Sequence, residues 1–334
     1  MRLATFNLES LDLGPKAGIS LEARAAVLQP ALERIAADIV CLQEVNGQHI
    51  AGHKERQLVA LDRLLEGTTY QHYARAATTG QGGRGVADVH NLVTLSRFPI
   101  LAQRQVLHDF VPPPLHTSIM SKPSSGEQVA VRFDRPLLLT QIALPDGSAV
   151  SVINIHLRAP LASPIAGQKA GPFAWRSVGG WAEGFYLSTL KRAAQALELR
   201  LFVEQILQDA PASLIAVAGD FNAEDYGSTL RLAIASEEDV GANELTAQSL
   251  VVLDRAIYAD RRWSVLHHGR EQMLDHILAS RALYGHFRHI EVHNEGLGDE
   301  ALGYGKAIHS ASSYHAPVVA EFALDRAAEQ GVAP

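Results

Sequence analysis

Leu214-Ile215-Ala216-Val217-Ala218-Gly219-Asp220-Phe221-Asn222 is a run of five apolar residues followed by a glycine, a carboxylate and, two positions on, a carboxamide. A short continuous apolar run closed by a turn signal reads as a strand buried on both faces. Side chains two apart on an extended chain share a face, so Asp220 and Asn222 point to one side of the strand end. That is the outline of a metal and phosphate site.

The pattern recurs along the chain. Residues 2–8 read as a strand reaching Asn7, residues 38–42 as a buried strand delivering Gln43-Glu44, and residues 91–95 as a strand closed by Ser96-Arg97-Phe98-Pro99. Two apolar runs, 137–144 and 149–157, are joined by Pro145-Asp146-Gly147-Ser148, whose Asp-Gly pair signals a hairpin. The second run ends at Asn154-Ile155-His156, and strand starts follow at Asp275-His276 and His315-Ala316. Residues 22–37 have helical spacing broken or kinked at Pro30. Residues 188–207 form the clearest helix, with Ser188 as its cap and Leu190, Ala194, Leu197 and Leu201 as its apolar stripe. Interleaved strands and helices argue an α/β or mixed α+β layering, and residues after 326 are expected to fray.

Composition narrows the function. The chain has 334 residues, 47% hydrophobic and 19% charged, with a formal net charge of -7 and no Lys/Arg block. The broad positive footprint of a tight nonspecific polymer binder is therefore missing. The single Cys41, inside Ile39-Val40-Cys41-Leu42, excludes an internal disulfide and reads as a core residue. With no signal-like leader and no apolar stretch of about 18 residues, the expectation is a soluble, unexported, cytoplasmic protein. Gly80, Gly82 and Gly85 match a dinucleotide fingerprint, but a strand-like run follows where a helix is required, so that reading fails.

Asn7, Glu44, His156, Asp220, Asn222, Asp275 and His315 each stand at the end of an apolar segment, where open α/β sheets collect ligands. Carboxylates, amides and imidazoles together are hard-cation chemistry with a base nearby. Here the chain resembles the endonuclease/exonuclease/phosphatase superfamily. The resemblance rests on Thr5-Phe6-Asn7, Leu42-Gln43-Glu44-Val45, Leu95-Ser96-Arg97-Phe98-Pro99-Ile100, Asn154-Ile155-His156-Leu157, Arg192 with Gln195, Gly219-Asp220-Phe221-Asn222, Leu274-Asp275-His276-Ile277-Leu278 and Ser313-Tyr314-His315-Ala316-Pro317-Val318, in the family's order.

The resemblance implies a four-layer sandwich, two packed mixed β-sheets flanked by helices, forming one catalytic domain over residues 1–325. It implies a divalent-metal-dependent phosphoesterase hydrolysing a phosphodiester. Glu44 would be the principal Mg²⁺ ligand (Mn²⁺ serving as well), with Asn7 close by. Asp220 would activate or position water, Asn222 and His156 would hold phosphate oxygens, and His315 would face the phosphorus, polarised by Asp275. Arg192, Gln195, Ser96 and Arg97 read as structural.

One position departs from the pattern: where the family has an Asp before its last histidine, this chain has Tyr314. A phenol is a poor Mg²⁺ ligand, which opens the alternative of a weakened, phosphate-binding module. The substrate classes left open are a short nucleic acid, a nucleotide conjugate and a phospholipid or inositol-phosphate head group, with no obligate protein partner indicated. The insert at about 158–188 is rich in Gly, Pro and aromatics, and Trp175 and Trp181 are its candidate substrate contacts, overhanging the site to read the leaving group.

Overall fold

The computed structural model describes residues 1–16, 18–80, 82–124, 126–301 and 310–324; the tail expected to fray lies outside them. The first half comprises β1 (Arg2–Leu11), α1 (Leu21–Ile35), β2 (Ile39–Val45), α2 (Val59–Leu65), β3 (Ala74–Ala77), β4 (Asn91–Ser96), β5 (Ile100–Val106), β6 (Leu115–Thr117), β7 (Gln128–Ala130), β8 (Leu137–Ala143) and β9 (Ala149–His156). Then come α3 (Val178–Asp209), β10 (Leu214–Asp220), α4 (Ser228–Ile234), α5 (Glu237–Val240), β11 (Leu250–Val252), β12 (Val265–His267), β13 (Arg270–Gln272), β14 (Asp275–Ser280), α6 (Arg281–Tyr284), β15 (Phe287–Val292) and β16 (Val318–Phe322).

The strands form two six-stranded sheets, in the orders β15-β16-β1-β2-β4-β3 and β11-β14-β10-β9-β8-β5. Both are mixed: β1 runs parallel to β2 and antiparallel to β16, and β10 runs parallel to β9 and antiparallel to β14. Alternation along each strand builds the layers. Leu3, Ile39, Cys41, Val152, Ala216, Ala218 and Ile277 meet between the sheets. Their neighbours Ala4, Phe6, Val40 and Leu42 turn to Leu28, Leu32 and Leu61 of α1 and α2, while Ile153, Ile155, Ile215 and Val217 turn to Leu199, Phe202 and Leu230 of α3 and α4. The order helix, sheet, sheet, helix is the expected four-layer sandwich.

A polar clasp ties the sheets beneath the site. Asn154 of β9 accepts from Gln43 Nε2 (2.8 Å) and donates to the carbonyls of Leu42 and Val93 in the other sheet (3.2 and 3.0 Å). Its amide is fully buried, so each lost partner would strand a polar group at about 1–3 kcal/mol.

Two expectations are corrected. α1 runs unbroken through Pro30. α3 starts at Val178, capped by Ser177, whose hydroxyl accepts from Gly180 N (3.0 Å), and not at residue 188. Ser188 is instead a buried residue inside the helix. Gly179, Gly180 and Gly184 hid this first stretch because glycine is a weak helix former. Close packing demands them: a Cβ on Gly184 would sit 2.3 Å from the Ser163 carbonyl oxygen. About a third of the aromatic insert is therefore helical.

Candidate active site

Strand register assembles the site. β10 pairs Asp220 with His156 on one side and with Asp275 on the other, placing three functional side chains in one row across the second sheet. In the first sheet Asn7 pairs with Gln43, which puts Glu44 one residue further on. β9 packs against Gly219 so tightly that a Cβ there would lie 2.0 Å from the Ile155 carbonyl oxygen. Glu44 and Asn222 adopt positive φ (58° and 49°), unusual for non-glycine residues and found where function fixes the backbone.

The two rows meet face to face. Asn7 Nδ2 donates to Glu44 Oε1 (3.3 Å) and to Asp220 Oδ2 (3.1 Å). Its Oδ1 accepts from Glu9 N (2.8 Å). Ser10 Oγ donates to Glu44 Oε2 (3.0 Å). Asn222 donates its main-chain N–H to Asp220 Oδ1 (2.8 Å) and its carboxamide to Asp220 Oδ2 and the Leu157 carbonyl (3.1 Å each). In this arrangement Asn222 fixes Asp220.

His315 Nδ1 bonds Asp275 Oδ2 at 2.8 Å, and its Nε2 lies 4.0 Å from Asp220 Oδ2. Burial opposes charging this imidazole, but Asp275, Asp220 and Glu44 together hold its pKa well above the ordinary histidine value. His156 shows the reverse. Burial first, and then the neighbouring Arg135, His90 and His315, hold its pKa well below that value. Arg135 donates to His156 Nδ1. The ring proton therefore sits on Nε2, which faces Asp220 Oδ2 at 3.4 Å and Glu44 Oε1 at 3.7 Å.

The carboxylates divide in the same way. Burial raises the pKa of Glu44, but His90, His315 and Arg135 outweigh it and keep the group low. Burial and the neighbouring Asp275 push Asp220 up to about 7, against the pull of His315. Buried Asp275 Oδ1 and His90 Nδ1 have no hydrogen-bond partner among the described residues. Three clustered carboxylates with orphaned donor atoms fit a divalent cation. Two groups lie close enough, Glu44 with His90 and His156, and Asp220 with Asp275 and His315; in them the carboxylates and the open His90 Nδ1 would hold the ion, since the protonated nitrogens of His156 and His315 have no lone pair to give.

Sequence reading missed His90 and Arg135. Strand pairing places both: Val45 opposes Asn91, bringing His90 to within 3.6 Å of Glu44 Oε2, and Leu138 opposes Asn154, carrying the chain back from there to Arg135 beside His156. Tyr314 is buried, its ring beside Gly298 and its hydroxyl accepting from Ser310 N (3.1 Å), while its main-chain N–H donates to Glu9 Oε2 (3.2 Å). Arg192 and Gln195 both hold the main chain of Arg158 (2.9 Å each), Ser96 bonds Phe98, and Arg97 pairs with Asp38. Trp175 lies under Lys169 Nζ (4.3 Å) and Trp181 stacks on Phe185 (5.5 Å). No hydrogen bond or ring contact joins either to the cluster among the described residues. Cys41 is buried, its thiol pushed up to about 12, which leaves it inert.

This fold and this cluster of strand-end carboxylates, amides and imidazoles define a phosphoesterase class. A family model described as the Endonuclease/Exonuclease/phosphatase family matches residues 4–315, and the chain belongs to that family. It is accordingly a phosphoric ester hydrolase, of a family that depends on divalent metal. Among solved structures it is similar to TDP2 from Caenorhabditis elegans (TM-score 0.55, 16% identity, 96% of each chain covered). A second is a family member from Leptotrichia buccalis (TM-score 0.54, 15% identity, 96% of this chain and 99% of that one). A third is the 3' phosphatase NExo from Neisseria bound to a product DNA hairpin (TM-score 0.51, 18% identity, 96% and 99%). No curated protein matches the sequence. Among the described residues no helix is long and apolar enough to cross a membrane.

Proposed function

We propose that residues 1–325 act as one catalytic domain that hydrolyses phosphodiesters with Mg²⁺, or Mn²⁺ in its place, in the cytoplasm. The observation that carries this is the row His156, Asp220 and Asp275, with His315 bonded to Asp275 and facing Asp220, opposite Glu44. Glu44 would hold the cation with Asn7 beside it; when bound, the ion draws off charge on the phosphoryl oxygens. Asp220, with a pKa near neutrality, is suited to take a proton from water and is held in place for it by Asn7 and Asn222. The His315 imidazolium, kept protonated by Asp275, stabilises negative charge developing on the phosphoryl group. His156 Nε2–H, its proton fixed there by Arg135, donates to a second phosphoryl oxygen.

The test is turnover of a chromogenic phosphodiester, a phosphomonoester, single- and double-stranded DNA, RNA and sphingomyelin, with Mg²⁺, Mn²⁺ or chelator. Diester turnover abolished by chelator is expected, and turnover indifferent to chelator would contradict the proposal. Calorimetry with Mg²⁺ and Mn²⁺ addresses the weakened-module alternative: binding lost in Glu44→Ala supports the enzyme, and no binding in either protein supports the module.

A further inference from the structure

The insert carries a surface that the hydrolytic site does not use. Phe173 is 97% exposed, Ile119 and Val178 82%, and Leu161 68%, with Trp181, Phe185 and Tyr186 also open to solvent. Val178, Trp181 and Phe185 stand at i, i+3 and i+7, forming one stripe of α3. These residues come from three stretches of chain bound into one body. The Glu183 carboxylate accepts from the N–H groups of Ile119 and Met120 (2.8 Å each) and bonds His116 Nε2 (2.8 Å). Lys122 N donates to Ala166 O, and Ser163 N to Gly184 O (2.9 Å each). The stripe Val178, Trp181 and Phe185, with its rings stacked at 5.5 Å between Trp181 and Phe185, is an exposed apolar helix face, and such faces mark interaction surfaces when neighbouring apolar side chains extend them.

Charge and side-chain type choose the occupant. The chain as a whole is acidic, yet residues 158–192 hold Arg158, Lys169, Arg176, Lys191 and Arg192 against one acid, Glu183, which is buried. Asp134 pairs with Arg158 and Lys191, whereas Lys122, Lys169 and Arg176 pair with no carboxylate among the described residues. Nucleobases stack on aromatic faces, and Ile119, Leu161 and Val178 have none to offer. A bilayer interface takes aliphatic and aromatic side chains alike and rewards flanking cations when its lipids are anionic.

We propose that this face docks the protein on an anionic phospholipid surface. The insert begins two residues after His156, and Pro160 near its start and Arg192 just beyond its end line a cavity of about 420 Å³ together with Asn222. Docking would bring phosphoester head groups to the catalytic row, an extension that rests on the hydrolytic reading, although docking itself needs no catalysis.

Flotation of the full chain with phosphatidylcholine vesicles, with and without about 30 mol% phosphatidylserine, tests this. The wild type is expected to float, more strongly with phosphatidylserine and more weakly as salt rises, with a blue shift of tryptophan emission. The triple variant Ile119→Ser, Phe173→Ser, Trp181→Ser, its fold checked by circular dichroism, should partition on the order of tenfold less. His315→Ala should float like the wild type. Absence of wild-type flotation, or undiminished flotation of a folded triple variant, would overturn the proposal. So would binding of a labelled oligonucleotide, lost in the triple variant, by a protein that ignores vesicles. A protein that cleaves the chromogenic diester but does not float fails this inference alone; one that floats but cleaves nothing fails the hydrolytic reading alone.

Discussion

His315 and His156 both lie within reach of Asp220, yet their surroundings shift their pKa values in opposite directions. Behind His315 stands Asp275, and behind His156 stands Arg135. A carboxylate at the far ring nitrogen makes an imidazolium; a guanidinium there makes a neutral ring with its proton on the near nitrogen. One site thus obtains a cation and a neutral donor from the same side chain, and the partner each ring turns away from the substrate decides which it is.

The most damaging way to break this contrast is on the charged side. His315→Ala and Asp275→Asn should each lower kcat on the order of a hundred- to ten-thousandfold with little change in metal affinity by calorimetry. A loss confined to KM would show that His315 only binds substrate. On the neutral side, Arg135→Met removes the nearest cation from His156 and raises its pKa. A drop in kcat of about tenfold is expected, together with a new limb near neutrality in the pH–rate profile. An unchanged profile would remove Arg135 from the account.

Asp220 stands between the two rings, and its own burial beside Asp275 raises its pKa. Its folded pKa is raised from an ordinary 3.8 to about 7, so the native state holds a proton that the unfolded chain has released between those values. Its contribution to stability is therefore present below about pH 4 and is lost as pH rises to about 7. In chelator, the wild type should lose stability relative to Asp220→Asn by about 1–3 kcal/mol between pH 4 and pH 7 in denaturant melts, and the variant should be inactive. Equal stability at pH 4 and pH 7 for both proteins would contradict the sign. Smallest of all, Tyr314→Phe removes one hydrogen bond from Ser310 N at about 1 kcal/mol and should leave metal affinity within twofold.

The sheet layers and most of the cluster were legible because Glu44, His156 and Asp220 close apolar runs while Asp275 and His315 open them, and runs such as 214–218 admit few other readings. The register that aligns Asp220 with both His156 and Asp275 was not legible, because strand ends do not say which strands pair. What escaped has physical reasons. His90 and Arg135 precede strands and do not end them, so nothing local marks them, and only the pairing of β2 with β4 and of β8 with β9 brings them in. The first turns of α3 contain three glycines that local propensity penalises, and their need is visible only once the 158–177 loop is packed against them. Sequence shows which residues of the insert are aromatic but not which way they turn, so the exposure of Phe173 and Val178 becomes visible only in the fold.

Nitrogen-15 NMR of the imidazole rings in the metal-free protein at pH 7 reads both histidines at once. The account predicts His315 protonated on both nitrogens and His156 neutral with its proton on Nε2. Two rings titrating together near 6.5, or a protonated His156 beside a neutral His315, would contradict it.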